Sequence, residues 1–254
     1  MPKRLLFRPF ALFMLAATSL CSAAPPPARI LLDENHPPFS YHDAEGDAQG
    51  LSLELCRLLV AELQWPTKIE LSSWARAESR LKAGELVLIG AMMKTPERAP
   101  HYQWLLQLFV QENFIYRLRE RRDELPLQTL NDLNRYRIGT VARSGSYQQL
   151  LQAGVQAANI DTVNHGLQNL DKLLRHRIDF MTAQPAMLQY FSRHHRVEFS
   201  RFEPALTLAE RSAFYLSANL SAPAEWQSEL QQAWQHLKNQ RKLTPILQSY
   251  GISE

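Results

Sequence analysis

Cysteine is almost absent from this chain. Its 254 residues include two, Cys21 and Cys56. Only Cys56 remains if the leader described below is removed, so the mature chain can close no internal disulfide. Metal-ligand spacing is lacking as well. The eight histidines are scattered. His194 and His195 are adjacent, and neighbours on a helix do not share a face. No His-x-x-x-His or Cys-His constellation occurs, and no nucleophile elbow supports a catalytic triad. Beyond residue 24 no run approaches the ~20 apolar residues that a spanning helix needs. Internal repeats and low-complexity segments are missing too. These absences leave no metal, no cofactor and no enzymatic activity to be expected.

An excess charge of either sign is also lacking once the N-terminus is set aside. Lys3, Arg4 and Arg8 precede an apolar run at 10–20, and Ser22-Ala23-Ala24 offers small residues for cleavage before Pro25-Pro26-Pro27. This is the pattern of a secretory signal peptide over 1–24. The leader holds three of the 28 basic residues and none of the 25 acidic ones, which leaves 25 of each. A formally neutral chain has no electrostatic case for nucleic acid. Secretion without disulfides fits a bacterial envelope protein, hence the periplasm, stabilised by its core. Cys56, inside the apolar run 53–60, reads as a small buried hydrophobe.

What the chain does contain is an alternation of strand and helix signals. A strand is expected at 28–32. A loop follows at 33–41, because Pro37 and Pro38 forbid strand or helix there. A helix over 51–63 places Leu51, Leu55, Leu58, Leu59 and Leu63 on one face. A strand at 68–71, a helix at 75–83 closed by Gly84, and a strand at 86–93 complete a β-α-β-α-β order. An extended run covers 104–117, and the charge cluster 117–124 reads as a solvated connection. After a short helix at 127–133, strands at 137–141, 161–163 and 178–181 alternate with helices at 147–153, 169–174 and 185–191. An irregular stretch at 199–208, a strand at 211–217 and helices at 226–241 and 243–250 end the chain. Such alternation implies parallel sheets with ligands beyond the carboxyl ends of the strands. Two alternations joined by extended segments imply two lobes and a cleft.

Three loops converge at that edge in the first half: 33–39, 72–74 and 91–98. The last contains Thr95-Pro96-Glu97-Arg98, read as the first turn of a short helix with Thr95 as N-cap and Pro96 at the first helical position. Arg98 there suits a planar carboxylate, or a surface ion pair with Glu97. The turn Arg143-Ser144-Gly145-Ser146-Tyr147 forms an anion cradle of helix-start amides, or an ordinary capped turn. Trp74 fits a core or a cleft wall, and His36 a loop or a ligand contact.

The order and motifs together resemble the periplasmic solute-binding proteins of family 3, receptors serving polar amino acid ABC transporters. The resemblance spans about residues 30–252. It rests on Pro37-Pro38-Phe39 with Gly50, Leu81-Lys82-Ala83-Gly84, Thr95-Pro96-Glu97-Arg98, Leu130-Asn131-Asp132-Leu133 with Arg137-Ile138-Gly139, 173–179, and the C-terminal Leu243-Thr244 and Tyr250-Gly251. It implies an α/β two-lobed type II fold, each lobe a mixed, mostly parallel sheet flanked by helices, with two crossing hinge strands near 110–113 and 207–213. Lobe 1 would be 25–110 with 212–254, and lobe 2 111–211. The resemblance also implies a monomer that captures a small polar carboxylate-bearing solute for ABC transporter membrane subunits. Arg98 would clamp the ligand α-carboxylate, helped by amides near Ser144, Gly145 and Ser146. Trp74 would cover the ligand side chain, and Asp33 and His36 would contribute from the first loop. Three positions depart from the family pattern. Ala91 and Met93 replace small polar residues, Gln184 stands where an Asp binds the ligand ammonium, and Val87 replaces an Asp. The rival readings are a dehydratase-type envelope enzyme using Glu34 or His36 as acid or base, and a ligand sensor for a membrane receptor.

Overall fold

The structure is a computed structural model that describes residues 25–252. The expected signal peptide, 1–24, lies outside the described residues. Strand β1 (Arg29–Asp33) carries Ile30, Leu31 and Leu32 with no exposed surface, as expected of a parallel strand covered on both faces. Two short strands follow, β2 (Asn35–His36) and β3 (Ser40–His42), and then β4 (Ala48–Gln49). Helix α1 (Leu51–Leu63), β5 (Lys68–Ser72), α2 (Trp74–Lys82) and β6 (Leu88–Met93) complete the first alternation. The long strand β7 (Gln103–Leu118) leads to β8 (Ile138–Val141), α3 (Gly145–Gln152), β9 (Ile160–Val163), α4 (Gly166–Leu174), β10 (Phe180–Ala183) and α5 (Pro185–His194). Strand β11 (Phe202–Ala218) returns, and α6 (Glu225–Asn239) and α7 (Leu243–Ser249) close the chain.

One eight-stranded mixed sheet has the order β5-β1-β6-β11-β7-β10-β8-β9. Strand β1 runs parallel to β5 and β6, and β8 runs parallel to β9 and β10. The middle strands β7 and β11 are antiparallel to each other and connect the two parallel halves. Their register slips between Thr207 and Ala209 and again between Ala209 and Ser212, opposite 111–114. The extra residues there are bulges, which increase local twist and bend the ribbon where the chain passes from one half to the other.

Each half has its own core. In the first lobe Leu51, Leu55, Cys56 and Leu59 of α1 meet Ile30, Leu32 and Leu88 of the sheet, with Trp226, Leu230 and Leu237 of α6. Each fully buried side chain of this size contributes about 1.5–3 kcal/mol. Leu31, Ala77, Leu81, Ile89 and Tyr102 cover the other face. In the second lobe Leu170, Leu173, Leu188 and Phe191 pack with Phe202 on one face, and Ile138, Leu150 and Phe180 with Leu133 on the other.

Several expected elements differ. The loop expected at 33–41 holds β2 and β3, which join β4 in a three-stranded sheet. Pro37 and Pro38 occupy the turn itself, where the Phe39 N–H donates to the His36 carbonyl at 2.8 Å, so neither strand has to supply a donor from a proline. Thr95 starts a single turn instead of a continuing helix, followed by a 3-10 turn at Ala99–His101. Residues 202–208, expected to be irregular, belong to β11, whose bulges hide the alternation. Arg117 is not part of a solvated connection. It is buried, with Nε 3.1 Å from Glu203 Oε2 and Nη1 donating to the Leu125 carbonyl at 2.7 Å.

Candidate functional site

The carboxyl ends of the parallel strands face each other across a cavity of about 680 Å³. Asp33 ends β1, Ser73 and Trp74 join β5 to α2, and Ala91 and Met93 end β6. From the second lobe come the start of α3, the turn before α4, and Thr182 and Gln184 before α5. All ten residues singled out from sequence line this one cavity: Asp33, His36, Trp74, Ala91, Met93, Arg98, Ser144, Gly145, Ser146 and Gln184.

Arg98 is 7% exposed. The turn that presents it is tied by Thr95, whose hydroxyl accepts from the Arg98 N–H at 3.3 Å and whose carbonyl accepts from Ala99 at 2.8 Å. Its guanidinium donates from Nη1 to the Met93 carbonyl at 3.2 Å and from Nη2 to the Arg143 carbonyl at 2.8 Å. The second bond crosses from one lobe to the other. The guanidinium also lies 4.6 Å from the centroid of the Trp74 ring, a cation–π contact. One face of Trp74 is therefore occupied by Arg98. Among the described residues no carboxylate is within ion-pair distance of Arg98, and the surface pair with Glu97 is not formed. Burial works against its charge, opposed by Glu78, Tyr102 and Glu97.

Asp33 accepts from the N–H of Asn35 at 3.1 Å and from the N–H of Trp74. Burial pushes its carboxyl up to about 6, with the negative charge of Glu34 adding to the rise. The two backbone donors and His165 oppose it without cancelling it. His36 lies 4.7 Å from Phe39 and 6.0 Å from Phe214, ring centre to ring centre. Burial in that ring stack pushes it down to about 4, so at neutral pH it is an uncharged aromatic wall.

Ala91 has φ 54°, in the left-handed region. A non-glycine residue there costs on the order of 1–2 kcal/mol. It sits where the β6–β11 register shifts, at the cavity edge. Ser144 caps α3, accepting from the Tyr147 N–H at 3.1 Å, so the capped-turn reading is realised. Met93 rests against Gly145 at the same helix start. The Ser146 hydroxyl accepts from Asn113 Nδ2 at 2.9 Å, which ties α3 to the crossing strand β7. Gln149 accepts from the same Asn113 amide at 2.7 Å and donates to Ser212 of β11 at 3.0 Å. Both crossing strands are thus fastened to the helix that borders the cavity. A further bond joins Thr95 to Gln148 of α3 at 2.6 Å.

Gln184 precedes α5, is 3% exposed, and has a side-chain oxygen with no partner. Beside it on the floor, the Thr140 and Thr182 hydroxyls are 2.8 Å apart. Sequence reasoning missed Thr140, His165, Thr182, Met187 and Phe214 as lining residues. The strand-end rule, applied to β8, β9 and β10, points to the first three. Phe214 has no local signal, because it reaches the cavity from a crossing strand. Among the described residues no group of three or more His, Cys, Asp or Glu side chains is placed to hold a metal.

Similarity to solved structures agrees with this architecture. A histidine kinase sensor domain with similarity to periplasmic binding proteins superposes with a TM-score of 0.79 at 17% identity, covering 91% of this chain and 98% of that one. A histidine-bound substrate-binding protein of an ABC uptake transporter from Streptococcus pneumoniae gives 0.76 at 16% identity, with coverage of 88% and 92%. The hydroxyectoine complex of EhuB gives 0.76 at 19%, with coverage of 89% and 88%. At these identities the likeness establishes the fold, a type II periplasmic binding architecture. Comparison with curated protein sequences gives no significant match. The model of the bacterial extracellular solute-binding proteins, family 3, matches residues 28–253. Nearly the whole chain is covered, and the protein belongs to that family.

Proposed function

We propose that the protein captures a small carboxylate-bearing solute between its lobes in the periplasm and delivers it to an ABC transporter. The observation that carries this reading is Arg98. A buried guanidinium lining a cavity, with carbonyl and aromatic partners but no carboxylate, calls for an anion, and a ligand carboxylate supplies one with charge-assisted bonds. Lobe 1 is 25–110 with 212–254 and lobe 2 is 111–211, working as a monomer. Closure is a hinge motion about the crossing strands, in which the ligand selects the closed population. The interlobe bonds of Arg98 and Thr95 belong to that closed state. The ten lining residues predicted from sequence form the ligand-binding set, with Arg98 as its anchor.

The test is a thermal-shift panel on the mature protein, refolded to strip bound solute. It would include amino acids, 2-hydroxy acids and other small carboxylates. A ligand at 100 times its dissociation constant stabilises by ~2.7 kcal/mol. Hits confined to carboxylates are the expected result, and a panel without any carboxylate hit would overturn the reading.

A second reading, reporting ligand to a membrane receptor, is favoured by the similarity to a histidine kinase sensor domain. Uptake of the radiolabelled hit, with and without the protein in the envelope, separates the two. Loss of uptake without it supports transport. Turnover of prephenate or arogenate in the same assays would instead support a dehydratase.

A further inference from the structure

The cavity is chemically divided between its two lobes. Both of its acids, Asp33 and Glu34, come from the first lobe, and the second-lobe lining contains none. The second lobe presents Arg143 and His165 at its helix starts and, around Gln184, only neutral polar groups such as the Thr140–Thr182 hydroxyl pair. Gln184 lines the cavity at 3% exposure, and its side-chain oxygen is buried without a donor. A buried acceptor left unpaired is costly, so such an atom in a binding cavity marks where a ligand donor belongs. An amide oxygen pairs as well with a hydroxyl or amide N–H as its dipole allows. It gives an ammonium group no countercharge, which a buried cation needs. The acids of the cavity lie on the other lobe, where Asp33 already accepts from the Asn35 N–H and burial works against its charged form. Apolar surface from Met93, Met187 and Phe214 lies beside these groups.

From this arrangement we infer that Gln184 is a specificity-determining residue that selects carboxylates with a neutral hydrogen-bond donor on the α-carbon, 2-hydroxy acids foremost, over free α-amino acids. The inference rests on the carboxylate reading of the cavity proposed above. The Arg98 guanidinium takes the ligand carboxylate, the α-hydroxyl donates to Gln184, and an apolar side chain meets the methionines and Phe214.

Matched pairs test it: phenyllactate against phenylalanine, and 2-hydroxyisocaproate against leucine, titrated calorimetrically into the wild-type mature protein and Gln184→Asp. The wild type is expected to bind the hydroxy acid of a pair roughly tenfold tighter or more, the margin set by a missing charge-assisted bond. Gln184→Asp is expected to move the ratio toward the amino acid by a similar factor. Should that variant not fold, Gln184→Ala is expected to weaken the hydroxy acid roughly fivefold, the loss of one neutral bond. Wild-type preference for the amino acid overturns the inference, as does a ratio unmoved by Gln184→Asp. Binding of other panel carboxylates but none of these four also overturns it, while the carboxylate reading stands. If no carboxylate binds at all, both fall.

Discussion

Met93 and Gly145 meet across the cleft so closely that no side chain fits between them. A Cβ built on Gly145 would lie 2.1 Å from Met93 Sδ and 3.0 Å from its Cβ. The thioether of β6 therefore rests on the first residue of α3, and the lobes approach as far as a glycine allows. Gly145→Ala is expected to hold the lobes apart and weaken binding of the strongest panel hit, while Met93→Ala in the same chain restores it. Calorimetric dissociation constants for the two single variants and the double variant form the cycle that checks this.

Arg98 is not replaceable by lysine. Its guanidinium reaches the Met93 and Arg143 carbonyls at once while stacking on Trp74, and a single ammonium cannot do all three. Arg98→Lys is expected to lose about 1.5–3 kcal/mol of ligand binding, roughly ten- to a hundred-fold. An unchanged dissociation constant would remove Arg98 from the proposed role.

Asp33 is a source of pH dependence. Its carboxyl is raised from 3.8 to about 6, so the folded state holds its proton more tightly than the unfolded chain does. The stability this contributes is present below about 4 and is lost as pH rises through 6. Asp33→Asn is therefore expected to match the wild type at pH 4 and to exceed it at pH 7 by about 1 kcal/mol, allowing for partial exposure. His36 acts in the opposite sense between 4 and 6.5, because the fold keeps its ring neutral, but it is common to both proteins and drops out of the difference. Melting temperatures across this range are the measurement.

Arg117 and Glu203 form a buried pair that joins β7 to β11 beside Arg122, which also contacts Glu203. Arg117→Ala removes one partner and leaves the Leu125 carbonyl without its donor. A loss of ~3 kcal/mol in urea denaturation is expected, the low end for breaking a buried pair because Arg122 remains. A loss under 1 kcal/mol would show that Arg122 compensates fully.

Cys56 has no exposed surface, and burial pushes its thiol up to about 12. The folded protein should resist a maleimide at neutral pH and react promptly once unfolded. Labelling of the folded protein at the unfolded rate would contradict that placement.

Local pattern made much of this fold legible. The leucines of α1 repeat at helical spacing, and the helix runs from Leu51 to Leu63 as expected. The strand-end loops were located because proline, glycine and caps punctuate them. Where the reading failed, long-range pairing had overridden local signals. Strand β11 carries Pro204 and five register shifts against β7, so its alternation is broken until β7 is beside it. The charge of Arg117 suggested solvent until Glu203, 86 residues away, neutralised it in the interior.

Neighbours along the chain set the alternation of strands and helices and the turns that carry the ten cavity-lining residues, because hydrophobic period and turn chemistry are local properties. How those residues meet one another was set by long-range packing. It placed Arg98 on Trp74 and on a carbonyl of the opposite lobe, seated Met93 on Gly145, and left the Gln184 oxygen unpaired in the cavity lining. The Arg98–Arg143 and Met93–Gly145 contacts join segments 45 and 52 residues apart across the cleft, and their geometry is set by how the two crossing strands bend, which no local window of sequence contains.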